Sequence, residues 1–381
     1  MSATASSVQT GVGAALEELR RAGLLRELRT LDSAPGARVR LGGHEVLLLC
    51  SNDYLGLAGH PQVRAAAAEA AQRWGAGAGA SRLVSGNLAL HERLEAELAA
   101  FKGTEACLLF GSGYLANTGV IAALAGRDDV IVSDARNHAS IVDGCRLSRA
   151  QTVVYDHGDL DALATALRGA GGRRALIVTD AVFSMDGDLA PLEGIVELAR
   201  RHGARIVVDE AHATGVVGPG GRGLVAALGL EDEVDVVVGT LGKALGSYGA
   251  FAACTRQMAA YLLNRARTAI FSTALPPPAV GAALEALRLV REQPELLSRL
   301  HANARSLREA LTAQGLPIPS GQPTMPIVPL VVGDPHAAMG LCEAALAEGV
   351  FAQAIRPPTV APGTSRLRLV ATAAHDPADL R

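Results

Sequence analysis

The stretch VVVGTLGKALGSYGA, residues 236–250, sets one lysine, Lys243, among glycines directly after an apolar run. Two chemistries use a lysine so placed: gripping a nucleotide's phosphates, or attack by the lysine's own free amine. A phosphate-gripping loop of the G-x-x-x-x-G-K-[ST] kind needs glycine at 237 and a hydroxyl at 244, where Val237 and Ala244 stand. The G-x-G-x-x-G fingerprint fares no better, because GSGYLANTG (111–119) has Leu115 and Ala116 where the third glycine should fall. The amine reading remains. Near other positive charge a lysine's pKa drops, and its free amine can form a Schiff base, which is what pyridoxal phosphate asks of a protein.

Such a cofactor needs further partners, and each has a candidate that follows an apolar run. FGSGYLAN, a glycine-rich turn into a helix, offers backbone N–H groups to a phosphate. Asp209, closing RIVVD, is a carboxylate that can keep a pyridine nitrogen protonated. His212 in DEAHATG can reach the ring's phenolic oxygen, His138 in DARNHAS can cover the ring, and Ser184 in VFSMDGD can add a polar contact. Thr240 stands three residues before the lysine. Taken singly, a strand-terminal aspartate is as readily a turn former, and a loop histidine is usually structural. Their joint placement at strand ends is what points to a site.

The elements that must position them are legible. Residues 106–110, 130–133, 152–155, 175–179, 205–209, 234–239 and 249–254 read as strands, with helical patterns such as 89–101 and 191–203 between them. Fully apolar strands alternating with helices predict an α/β fold with a mainly parallel seven-stranded sheet covered on both faces, ligands sitting at the strands' carboxyl ends. After TALPPPAV (273–280) the pattern predicts one long helix over 279–312. Strands at 326–332 and 366–371 follow, with a helix at 335–348 between them. The expected organisation is an N-terminal arm (1–50), a large domain (51–275) and a smaller C-terminal α/β domain (276–381).

Composition narrows the class. The 381 residues are 49% hydrophobic and carry a net charge of −3 with no basic block, which argues against nucleic acid as a partner. No apolar run nears the roughly 20 residues needed to span a bilayer, and the first residues lack the apolar core of a signal peptide. Five scattered cysteines suit buried thiols in a reducing compartment better than disulfides or a metal site. A cytoplasmic enzyme without a metal is expected.

The motifs CSNDYLGL (50–57), GASRLVSGN (79–87), GSGYLAN, NHASIVDG, VFSMDGDLAPL, VVDEAHATGVVGPGGRG and GTLGKALGSYG together resemble the α-oxoamine synthases of the aspartate-aminotransferase fold, from about residue 16 to 376. The resemblance implies pyridoxal 5'-phosphate carried by Lys243, with Gly113, Tyr114, Ser184, His212 and Thr240 binding it. It also implies His138 stacked over the ring and Asp209 on the pyridine nitrogen, so that Lys243, His138 and Asp209 act as catalytic residues. AIRPPTVAPGTSRLRLVATAAH (354–375) resembles the members that join L-alanine to a pimeloyl thioester, on coenzyme A or an acyl carrier protein. A glycine-using member is the alternative, and a non-catalytic binding protein on the same fold the distant one. Thr359 and Arg26 then match groups on the acyl substrate, although Arg26 lies in an arginine-rich stretch that also reads as an amphipathic helix's solvated face. Arg368 and Asn52 match groups that hold the amino acid's carboxylate. Ser272 and Thr273 match positions reaching a neighbouring subunit's phosphate, which implies a homodimer. Three departures stand out: Gly242 replaces a common serine, Ala250 a common glycine, and the chain stops six residues after His375, where relatives continue into a helix.

Overall fold

The computed structural model describes residues 3–380. Its central sheet runs in the order Ala106–Phe110, Ala250–Cys254, Val236–Thr240, Arg205–Asp209, Ala175–Asp180, Val130–Asp134, Gln151–Tyr155. All seven strands expected for the central sheet are in it. Only Ala250–Cys254 runs against its neighbours; the others share one direction. The apolar strands follow from burial on both faces. Cys107 and Leu109 point into one hydrophobic cluster, while Leu108 and Phe110, one residue out of phase, point into the other.

Helices close the two faces. Ala89–Lys102 ends on Gly103 in the left-handed conformation (φ 73°), and Leu192–His202 ends the same way on Gly203 (φ 61°). Pro277–Glu292 packs on Pro61–Trp74, where Gly281 lies against Ala66 and Ala70 so closely that a Cβ would sit 2.6 Å from the Ala70 methyl.

Ile327–Gly333, Ser365–Val370 and Ala354–Ile355 form a three-stranded sheet covered by Pro335–Ala347. In a further small sheet, His44–Leu48 pairs with Arg38–Leu41 on one side and in parallel with Val350–Phe351 on the other. Residues of the N-terminal arm therefore hydrogen-bond to the C-terminal part of the chain.

Two expectations are corrected. The long helix over 279–312 is two, Pro277–Glu292 and Glu295–Ala313. Pro294 lacks the N–H a continuous helix needs and drives Gln293 out of helical geometry (φ −122°, ψ 74°). The arginine-rich N-terminal helix ends at Arg21, so Arg26 is not on it. Gly23 turns left-handed (φ 68°) and Leu24 donates its N–H back to the Leu19 carbonyl at 2.8 Å, a helix-stopping arrangement.

Among the described residues no helix is long and apolar enough to cross a membrane. Four cysteines are buried and Cys50 is half-buried, all unpaired.

Candidate active site

Because neighbouring strands run in parallel, their carboxyl ends bring distant residues to one edge. Gly113 follows Phe110, His138 follows Asp134, Ser184 follows Asp180, Asp209 closes its own strand with His212 after it, and Lys243 follows Thr240. Gly113, Tyr114, His138, Asp209, His212, Thr240 and Lys243 line a recess of about 170 Å³, together with Asp180. It opens, past His138, His212 and Lys243, into a cavity of about 820 Å³ that Asn52, Ser184, Thr359 and Arg368 also line.

Lys243 brings an amine into the recess. Its Nζ lies 2.7 Å from His212 Nε2. Burial pushes its pKa down to about 8, against the pull of Asp209 and Asp180, with Arg368 adding to the fall. At pH 7.5 roughly a quarter of such lysines carry a free amine, against about one in a thousand at the ordinary value of 10.5. The shift corresponds to about 3 kcal/mol of discrimination against the charged form. Loading of a stripped protein with an aldehyde cofactor should therefore accelerate about tenfold per pH unit up to pH 8 and level off above it. Stopped-flow absorbance across pH 6 to 9.5 measures this, and a rise continuing beyond pH 9.5 would contradict it.

Asp209 lines the recess and is 4% exposed. Its Oδ1 accepts the Ala211 N–H at 2.7 Å and its Oδ2 the Asn117 side-chain amide at 2.5 Å. His138 caps helix Ala139–Ser148: its Nδ1 accepts the Ser140 N–H at 3.2 Å and meets Ser140 Oγ at 2.7 Å, which fixes the ring. The backbone N–H of His138 donates to Asp180 Oδ2 at 2.7 Å. Burial, and then the nearby Lys243, lower the His138 pKa, although Asp209 opposes them.

A second network crosses from the large sheet to the C-terminal sheet. Arg368, 5% exposed, donates from Nη1 to Asn52 Oδ1 at 2.9 Å, from Nη2 to the Tyr54 hydroxyl at 3.2 Å and from Nε to the Ser184 carbonyl. Tyr54 also meets His212 Nδ1 at 2.6 Å. Burial, then Lys243 and Arg368, hold His212 well below its ordinary pKa. A neutral ring protonated on Nδ1 satisfies every contact: Nδ1–H donates to Tyr54, and Nε2 accepts from Lys243. This polar chain fixes the lysine and the arginine relative to each other.

The residues fit the expected cofactor. Helix Gly113–Leu124 begins at the recess, its first turn capped by Ser112 Oγ accepting the Leu115 N–H at 3.2 Å. Gly113 leaves open the space that a side chain would take, since a Cβ there would meet only Thr240 Cβ, 4.0 Å away. Free N–H groups at that turn suit a phosphate, and the half-buried Lys243 amine and the Asp209 carboxylate lie in the same recess. At Gly242 a Cβ would meet the Ser247 carbonyl oxygen at an ordinary 3.5 Å, so the backbone would accept a serine there.

Other expected site residues fall at the margins. Arg26 is exposed and donates to the Pro357 carbonyl at 3.0 Å, beside the wall formed by Pro358 and Thr359. Thr273 bridges to Ser81 and lines neither cavity within this chain. Four residues not singled out from the sequence belong to the networks: Tyr54, Asn117, Ser140 and Asp180. Tyr54, Asn117 and Ser140 lie inside the motifs CSNDYLGL, GSGYLAN and NHASIVDG, whereas only strand register, Asp180 opposite Asp209, reveals Asp180.

The model of the family "Aminotransferase class I and II" matches residues 44–381. An 8-amino-7-oxononanoate synthase of Anaeromyxobacter dehalogenans is 54% identical over 369 residues, 97% of this chain and 92% of that protein. Among solved structures, a serine palmitoyltransferase variant from S. paucimobilis with PLP and myriocin bound superposes with a TM-score of 0.93 at 33% identity, covering 98% of this chain and 95% of that one. An 8-amino-7-oxononanoate synthase from Francisella tularensis superposes with a TM-score of 0.76 at 27% identity, covering 88% and 94%.

Proposed function

The chain belongs to the class I and II aminotransferase family, and we propose that it is a PLP-dependent acyltransferase joining L-alanine to a pimeloyl thioester, with loss of carbon dioxide, to make 8-amino-7-oxononanoate for biotin. The observation that carries the chemistry is the half-buried Lys243 amine, lowered to about 8 and held against His212 in the recess that Asp209 also lines. The substrates rest on the 54% identity to 8-amino-7-oxononanoate synthases, which outweighs the closer superposition on a serine palmitoyltransferase at 33%. Shape at this level reports fold and domain arrangement, while substrate choice resides in side chains.

Pyridoxal phosphate, when bound, supplies the electron sink that makes the amino acid's Cα–H acidic. In this reading Lys243 holds it covalently, Gly113, Tyr114 and Thr240 receive its phosphate, Asp209 its ring nitrogen and His212 its phenolic oxygen, with His138 covering the ring. Arg368 and Asn52 grip the alanine carboxylate, a two-pronged contact that a lysine at 368 would not reproduce. Lys243 takes the Cα proton and later returns one. The Cα–acyl bond forms as the thiol leaves, and the carboxyl group departs as carbon dioxide. Arg26 and Thr359 face the far end of the acyl chain.

We place the enzyme in the cytoplasm, in keeping with five unpaired cysteines, and assemble it as a homodimer. Leu83, Val84 and Phe271, exposed by 54, 80 and 68%, lie on segments tied together by the Ser81–Thr273 bridge. Apolar side chains grouped in this way favour burial against a second copy. Val84→Glu should shift the protein toward monomer in analytical ultracentrifugation; an unchanged dimer would remove this surface from the interface.

The function is tested by thiol release from the cofactor-loaded enzyme with three pairs: L-alanine with pimeloyl-coenzyme A, glycine with acetyl-coenzyme A, and L-serine with palmitoyl-coenzyme A. Preference for the first supports the reading. Preference for either of the others keeps the lysine's role and overturns the substrates.

A further inference from the structure

His157 lies two residues beyond strand Gln151–Tyr155, outside both cavities, and its ring is held on both sides. Nδ1 lies 2.9 Å from Asp134 Oδ1 and Nε2 lies 2.6 Å from Asp188 Oδ2. The ring stands edge-on to Phe183, 4.3 Å between centroids at 85°. Two carboxylate partners require both ring nitrogens to donate, so the imidazole is the cationic link between two loops.

Both loops wall the larger cavity. Asp134 starts the first: its carboxylate also accepts the N–H groups of Arg136 at 2.8 Å and Gly158 at 3.0 Å, and the loop carries Asn137 and His138. Asp188 closes the second, a tight hairpin in which Val182 bridges Leu189 and Phe183 donates its N–H to the Asp188 carbonyl at 3.0 Å. Its tip presents the Ser184 carbonyl to Arg368 Nε and the Asp186 carboxylate to Arg366 and Arg136. The hairpin thus holds the arginine assigned above to the substrate carboxylate. Asp188 Oδ1 is buried without a partner, so its carboxylate is tethered through His157.

We infer that His157 is a positioning residue for amino-acid binding: by bolting the 134–138 loop to the 182–189 hairpin it sets the Ser184–Arg368 contact, an inference that rests on the role proposed for Arg368. The electrostatics agree. Hydrogen bonds to Asp134 and then Asp188 outweigh burial and raise His157 to about 9. Burial pushes the Asp134 carboxyl up, but His157 and the two backbone donors hold it below the ordinary range. Arg136 and Asp186, which also join these two loops, Arg366, which pairs with Asp186, and Tyr155 and Asp180, which feel the Asp134 charge, are the other titratable groups around this junction. None of them hydrogen-bonds the ring.

The test is L-alanine affinity of the cofactor-loaded enzyme, read from the cofactor's visible absorbance, in the wild type, His157→Gln and His157→Phe. His157→Phe should weaken alanine binding by about tenfold or more, as a small displacement of a substrate-positioning group does. His157→Gln, able to keep one of the two bonds, should fall between. Turnover at saturating alanine should stay within about threefold of wild type, because the chemical groups are untouched. Nitrogen-15 spectra of the wild type should show both His157 ring nitrogens protonated at pH 7.5. Unchanged alanine affinity in His157→Gln and His157→Phe, or a singly protonated ring, would overturn the inference alone. If His157→Phe does not fold, His157→Gln and the spectra decide. A wild type that binds a different amino acid but not alanine would overturn the substrate reading, and the inference with it.

Discussion

Lys243→Ala is expected to lower turnover by about 10⁴-fold or more while leaving the fold intact. No other described side chain in the recess offers a comparable amine: His138 and His212 are imidazoles held by Ser140, Tyr54 and the lysine itself. The same change should stabilise the cofactor-free protein. Lys243 has a folded pKa near 8, below its ordinary 10.5, so the unfolded chain binds more protons between those values and stability rises with pH there. Below pH 8 the buried lysine therefore costs up to about 3 kcal/mol, and Lys243→Ala escapes this cost. The cofactor-free variant should outlast wild type in urea at pH 7, with the advantage shrinking toward pH 10. A variant less stable at pH 7 would contradict the account of the lysine's environment.

Asp209→Ala should cost about 10³-fold in turnover, and Asp209→Asn nearly as much. The comparison separates charge from shape. Asn at 209 keeps an oxygen for the Ala211 N–H and occupies the same space against Asn117, so it should keep its fold and much of its cofactor affinity. What it loses is the charge that holds a proton on the cofactor's ring nitrogen, together with the acceptor for the Asn117 amide. Alanine loses both and also strips Ala211 of its acceptor, at about 1–3 kcal/mol for each buried group left unpaired. Steady-state rates and equilibrium dialysis of the cofactor measure both effects. An Asn variant with near wild-type turnover would remove Asp209 from the chemistry and leave it as scaffold.

The sheet was legible because its strands are buried on both faces and must be apolar throughout, so each apolar run announced itself and the residues after it marked the sheet's carboxyl edge. Lys243, Asp209, His138 and His212 were found in that way. What the sequence concealed was contact across long separations. Arg368 reaches Tyr54 and Asn52, more than 300 positions earlier, and no periodicity encodes that meeting. His157 went unnoticed because its partners, 23 and 31 residues to either side, come from two different loops. The arm shows the opposite error. A run of arginines at helical spacing extended the expected helix past Gly23, where backbone conformation overrides the pattern and Arg356 takes hold of the Gly23 and Leu25 carbonyls. Pro294 likewise divides a helix whose apolar stripe continues on both sides.

The central claim, decarboxylative joining of alanine to a pimeloyl thioester, is most directly tested by isotope tracing. The cofactor-loaded enzyme would be given pimeloyl-coenzyme A with L-alanine labelled with carbon-13 at either C1 or C2, and the gas and product examined by mass spectrometry. The account expects the C1 label in carbon dioxide and the C2 label in 8-amino-7-oxononanoate. A product that keeps C1, or alanine recovered with neither carbon transferred, would contradict it.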